Sequence, residues 1–139
     1  MAAMAALVIA AYDGAAGSAR WTAPESAREV KVPIEATADE VLQAGAVIYT
    51  AQCLRCHGEQ GMGDGPLVSR LDTSPGNLKQ ALEGQSPGEI FWKITTGLRP
   101  MPGYSTRLSE LDRWRVTFYV IALGSTETDG VEQDDEGEQ

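Results

Sequence analysis

Apolar positions along the chain gather into three stretches of helical spacing, parted by segments rich in glycine and proline. Val41, Leu42, Gly45, Val47, Ile48 and Tyr49 recur at three- and four-residue steps, which predicts a first helix from about Asp39 to Gln52. Thr37-Ala38-Asp39-Glu40 ahead of it reads as a capping box, the threonine hydroxyl and glutamate side chain satisfying amides that a helix start leaves unpaired. Gly45 in that helix costs up to ~1 kcal/mol against alanine, which suggests a close helix crossing as much as chance. Ser86-Pro87-Gly88-Glu89 repeats the capping signal with proline at the first helical position. Ile90, Phe91, Trp92 and Ile94 then predict a short helix ending at Gly97. A last helix opens at Ser109, with Leu108 as a staple and Glu110 and Asp112 complementing its dipole. Its apolar residues, Leu111, Trp114, Val116, Phe118, Tyr119, Val120, Ile121 and Leu123, lie on most of its surface, so it must be heavily buried; Gly124 is read as its end. With a weaker helix over Asn77–Leu82, the pattern predicts an all-α fold of three main helices, short helices and long loops.

The intervening segments are loops by composition. Gly58 to Gly65 holds glycine at every second or third position and cannot be regular structure; Pro66 closes it. Met62 within it is read as a packing or exposed residue. Leu67, Val68 and Leu71 are apolar groups available to whatever the loop encloses, and Asp72–Gly76 is a turn. Arg20 to Ala36, with Trp21, Pro24 and Pro33, reads as an extended lead-in lying over the domain.

Charge changes the picture mainly at one end. The 139-residue chain carries a net charge of −9, but seven of its 20 acidic residues lie between Glu127 and Glu138, leaving 13 against 11 bases elsewhere. Residues 37–124 are therefore expected to form one nearly neutral domain, and residues 125–139 an acidic tail too poor in apolar groups to fold. No nucleic-acid partner is expected. Met1 to Ala11 is apolar but lacks a basic residue before Arg20 and falls short of the ~20 residues of a membrane span. Ala15-Ala16-Gly17-Ser18-Ala19 resembles a cleavage region, so residues 1–36 are read as an export-signal remnant or lead-in, with an extracytoplasmic, most simply periplasmic, location.

The chemistry is concentrated at Cys53-Leu54-Arg55-Cys56-His57. The chain has two cysteines and one histidine, and all three fall in this pentapeptide. C-x-x-C-H is the attachment pattern of c-type haem: two thiols add across the porphyrin vinyl groups as thioethers, and the next residue puts its imidazole on the iron. Three other readings stand beside it. A thioredoxin-like redox pair expects a neighbouring βαβ pattern, which the sequence lacks. Structural zinc needs four ligands where three Cys or His residues exist. A plain disulfide leaves His57 unexplained.

Given haem, the sixth ligand comes from Met, Lys, the N-terminus or water, since no second histidine is present. Arg99-Pro100-Met101-Pro102-Gly103-Tyr104 sets Met101 on a loop stiffened by two prolines, which disfavours the reading of a helical core methionine. Met101 is the best-placed candidate, because Met and His are the axial pair of cytochromes c and the soft sulfur favours ferrous iron. Trp92 is read first as core, with its indole N–H a candidate donor to a haem propionate.

From Thr37 to Leu123 the chain resembles a single-haem class I cytochrome c of the bacterial soluble type. Gly45, Tyr49 and Cys53 repeat the family's spacing of small residue, aromatic and first haem cysteine. The resemblance implies a cytochrome c fold wrapped around one covalent haem c, with Gly45 crossing the last helix against an aromatic that Tyr119 resembles. It also implies that the Pro66 carbonyl accepts a hydrogen bond from His57, fixing its ring, and that Met101 to Tyr104 is the distal loop. Pro66, Trp92 and Tyr104 are thus candidate haem contacts, Cys53 and Cys56 the attachment residues, and His57 and Met101 the axial ligands.

Two strong axial ligands leave no open position on iron, so the expected function is one-electron transfer between redox partner proteins, not catalysis. Two other classes remain. The chain is either a haem subunit of a larger oxidoreductase or respiratory complex, tethered by its lead-in or tail, or a protein whose labile methionine permits peroxidase or gas-binding chemistry.

Overall fold

A computed structural model describes residues 21–34 and 38–125. Among them the chain is helical, with an isolated bridge between Leu98 and Met101 in place of any strand. The helices are α1 (Glu25–Arg28), α2 (Asp39–Gln52), α3 (Leu54–His57), α4 (Leu78–Leu82), α5 (Pro87–Thr96) and α6 (Glu110–Ser125), with a 3-10 turn at Val68–Arg70. No helix of the described residues is long and apolar enough to cross a membrane.

The first helix forms over the expected residues. Ala38 occupies its N-cap position without a side-chain cap, while Thr37, which the capping-box reading requires, lies outside the described residues. The export-signal and acidic-tail readings also fall outside them. The capping box at α5 forms in full: the Ser86 hydroxyl accepts from the Glu89 amide, and the Glu89 carboxylate accepts from the Ser86 amide at 2.7 Å. That backbone bond, supported by Arg28, holds the Glu89 carboxyl below the usual carboxylate range. Asn77 caps α4 by accepting from the Lys79 amide.

Three expectations need correction. The lead-in is not wholly extended, since Glu25–Arg28 closes one helical turn after Pro24. Gly124 does not stop α6, which continues to Ser125. Leu111 is 43% exposed, because it stands in the first turn of α6 beside Glu110 and Asp112, away from the buried run Trp114, Val116, Thr117, Phe118 and Val120.

The crossing of α2 and α6 is the centre of the fold. A Cβ on Gly45 would lie 2.3 Å from the Arg115 carbonyl oxygen and 2.7 Å from the Tyr119 Cβ, so only glycine lets the two backbones approach this closely. One turn later Tyr49 packs its ring on Tyr119, centroids 5.2 Å apart. Tyr49, Ile90, Ile94, Tyr104, Val116 and Val120 form the core, joining α2, α5, α6 and the loop that carries Tyr104.

The Tyr49 hydroxyl donates to the Gly58 carbonyl at 2.6 Å, inside the protein, and burial pushes its pKa well above the ordinary phenol value. This bond ties α2 to the residue immediately after His57. Tyr49→Phe keeps the ring and strands the carbonyl, so it is expected to cost about 1–3 kcal/mol. Thermal unfolding of the variant checks this; an unchanged Tm would show that the bond contributes nothing.

Candidate haem-binding site

α2 passes through Cys53 directly into α3, where the Cys56 and His57 amides both donate to the Cys53 carbonyl, at 3.1 and 2.9 Å. A one-turn helix leaves its last carbonyls without partners. Here the glycine-rich loop supplies them. The Gly63 amide donates to the His57 carbonyl at 2.8 Å, Gly65 to Cys56 at 3.2 Å and Leu67 to Arg55 at 2.8 Å. Gly65 fits because a Cβ there would come within 2.4 Å of the Arg55 carbonyl oxygen. The loop thus doubles back along the pentapeptide and fixes its backbone.

Met101 is held from the other side of the chain. Its amide donates to the Leu98 carbonyl at 2.8 Å, and the Leu98 amide returns a bond to the Met101 carbonyl at 3.1 Å, with Arg99 and a cis-linked Pro100 at the corner. The Tyr104 amide donates to the Ile94 carbonyl at 3.0 Å, pinning this strap to the end of α5. The buried Tyr104 hydroxyl donates to the Gln52 carbonyl at 3.0 Å. Tyr104 therefore bolts the Met101 strap to the last residue of α2, next to Cys53.

Between strap and pentapeptide lies a cleft of about 180 Å³ lined by Cys56, His57 and Met101. Its other walls include Leu71, Pro75, Leu98, Pro102 and Trp21. Thr73, Ser74 and Arg99 supply the polar part of its lining. Cys53 does not line the cleft; it is half-buried against the hydrophobic core.

The electrostatics of the cleft separate the readings of the cysteine pair. Burial, with the neighbouring Cys56, pushes the Cys53 thiol up to about 12. A thioredoxin-like pair works through a thiol with a lowered pKa, the reverse of this. Both cysteines are free thiols rather than a disulfide. Burial lowers the pKa of His57, which keeps the imidazole neutral and its lone pair available. A neutral imidazole and a thioether in one mostly apolar cleft, with the Cys56 thiol in its wall and Cys53 one helical turn earlier in the chain, make a donor set suited to haem iron and thioether attachment.

The remaining sequence candidates are placed elsewhere. Pro66 is exposed and lines a separate groove with Leu54, Met62 and Asp64. The bond implied from His57 to its carbonyl does not form: His57 Nδ1 is buried without a hydrogen-bond partner. Trp92 does not line the cleft; it packs on Trp21, centroids 6.3 Å apart, and Trp21 does line it. Met62 is 52% exposed and accepts a hydrogen bond from Asn77. The cleft residues that sequence reasoning did not assign are Trp21, Thr73, Ser74, Pro75 and Leu98. Trp21 carried a signal, being the one aromatic residue of the lead-in from Arg20 to Ala36, whereas the others had none beyond their neighbours in sequence.

A family model described as cytochrome C oxidase, cbb3-type, subunit III, matches residues 40–120. The chain belongs to this cytochrome c family. It is 31% identical over 81 residues to cytochrome c6 of Limnospira maxima, covering 56% of this chain and 88% of that protein. It is 37% identical over 83 residues to the cbb3-type cytochrome c oxidase subunit FixP of Azorhizobium caulinodans, covering 58% of this chain. That match spans only 26% of FixP. Among solved structures, a chain of the reducing HAO-like protein complex of Kuenenia stuttgartiensis superposes with a TM-score of 0.60 at 33% identity, over 68% of this chain and 49% of that one. Cytochrome c6 of the diatom Phaeodactylum tricornutum superposes with a TM-score of 0.50 at 28% identity, over 60% of this chain and 93% of that one. As a cytochrome c family member the chain has the all-α fold expected of it, and a covalent haem c is the group that the family carries and that the cleft's donors suit.

Proposed function

We propose that the chain is a one-electron carrier holding a single haem c, with Cys53 and Cys56 as the attachment residues and His57 and Met101 as the axial ligands. The observation that carries this reading is the meeting of His57 and Met101, from distant parts of the chain, in one cleft with Cys56. Bound haem c supplies the redox centre, its iron alternating between ferric and ferrous.

The chain's own residues do the rest. His57, kept neutral by burial, offers an imidazole nitrogen, and Met101 offers a soft sulfur that favours the ferrous state and raises the potential. Together they leave no position for a substrate. The Leu98–Met101 backbone pair and the Tyr104 bolt hold the backbone that carries Met101 without help from the ligand bond, which limits the reorganisation that accompanies the change in charge. Leu71, Pro75, Leu98 and Pro102 give the cleft an apolar wall. An export route to the periplasm accords with this chemistry, and redox proteins are the partners.

An optical redox titration of protein produced with a haem-attachment system tests the reading. A single reversible one-electron transition is expected, together with colour retained on a denaturing gel. Colourless protein, or haem lost on denaturation, would reject covalent attachment. The second reading, a haem subunit of a larger complex, is favoured by the likeness to FixP and to the HAO-like complex chain. A partner that stays bound through purification from the native host would select it.

A further inference from the structure

The matched family segment starts at residue 40, yet the cleft has a wall from outside it. Trp21 lines the cleft together with His57 and Met101. It also lines a second cavity, of about 410 Å³, with Arg28, Glu83, Glu89 and Lys93. Among the described residues Trp21 alone belongs to both linings, so it stands where a mostly apolar cleft meets a pocket lined by charged side chains.

The indole is firmly seated. Trp21 packs on Trp92 of α5, and the Lys93 ammonium sits 5.4 Å from its ring centroid. Behind it Ala23 and Ala27 are buried, and Arg28 pairs with Glu89 at 3.3 Å. The closest fit is at Gly88, where a Cβ would come within 2.0 Å of the Ala27 carbonyl oxygen. Each contact joins the lead-in to α5, the helix from which the Met101 strap departs.

We infer that Trp21, held by the lead-in, completes the haem cleft and sets the potential of the centre by excluding water and ions from it. The inference rests on the haem reading given above. The ferric centre carries one more positive charge than the ferrous, and a dry wall penalises the more charged state. Removing the indole joins the cleft to the charged pocket, admits water and favours ferric iron. That pocket holds Lys93 and Arg28 against Glu83 and Glu89, with Arg28 paired to Glu89, so its charges largely offset one another and solvent screens the remainder. Trp21 is thus a tuning residue that lies outside the matched family segment.

The test uses the full chain with haem attached. Trp21→Ala is expected to shift the ferrous-to-ferric preference about threefold toward ferric, ~28 mV for a one-electron couple. It should also speed cyanide binding to the ferric protein several-fold, because the entry path is opened. Trp21→Phe restores both values most of the way. Gly88→Ala leaves a backbone angle that alanine accepts and disturbs only the seat of Ala27, so it should reproduce the Trp21→Ala shift with the indole still present. Trp21→Ala protein with haem covalently attached, an unchanged potential and unchanged cyanide kinetics would overturn the inference and leave the haem reading intact. A wild-type chain that binds no haem would overturn both.

Discussion

Replacing Met101 by alanine is expected to lower the midpoint potential by on the order of 100 mV or more, a fraction of the ~0.8 V range over which axial ligands set haem potentials. The thioether-to-ferric charge-transfer absorption should disappear with it. The fold should survive, because backbone bonds hold the strap: Leu98 and Met101 exchange two, and the Tyr104 amide is fixed on Ile94. Loss of the sulfur is therefore a change of ligand rather than of structure. Met62 supplies the control, as the other methionine of the described residues; it stands 52% exposed on the glycine-rich loop. Met62→Ala should leave spectrum and potential where they were. If instead Met62→Ala abolishes the charge-transfer band and Met101→Ala keeps it, the distal ligand has been wrongly assigned.

The parts of this molecule that were legible in the sequence are those written in local chemistry. The Cys53 to His57 pentapeptide carries its spacing in the chain itself, and the limits of α2 and the capping box of α5 follow from periodicity and from side chains three residues apart. The place of Met101 on a loop that lines the cleft was legible because the prolines on either side deny it a helix. What could not be read depends on contacts between distant segments. The one-turn helix α1 is too short for a periodic signal, and its place is set by the fit of Ala27 against Gly88. Trp21 and Trp92 are equivalent as sequence letters, and only the packing of one on the other decides which of them faces the cleft. Tyr104 illustrates the same limit. It was read as a candidate haem contact, and nothing in the sequence signalled that its hydroxyl also ties the strap to Gln52, an interaction across 52 residues.

Gly45→Val is expected to destabilise the fold by about 3 kcal/mol or more, at the upper end of overpacking costs. The glycine is helical, so the cause is space rather than backbone conformation. Its neighbours are the Arg115 carbonyl and the Tyr119 Cβ, neither of which can swing aside as a side-chain tip would. Gly45→Ala regains up to ~1 kcal/mol of helix propensity but meets the same atoms, so it should fall between wild type and valine. For a domain of this size the valine variant should lose on the order of 10–20 °C in Tm. Val47, 71% exposed two residues along the same helix, gives the comparison: Val47→Ala should stay within about 0.5 kcal/mol of wild type. The effect should also reach the redox centre. α2 ends at Gln52, which receives the Tyr104 hydroxyl bond, and Tyr49 on the same helix holds Gly58 beside His57. Pushing α2 off α6 therefore moves the pentapeptide relative to the Met101 strap, and the sulfur–iron absorption should weaken at temperatures well below global unfolding. A valine variant with wild-type Tm and an undiminished band would show that the close crossing neither stabilises the protein nor positions the ligands.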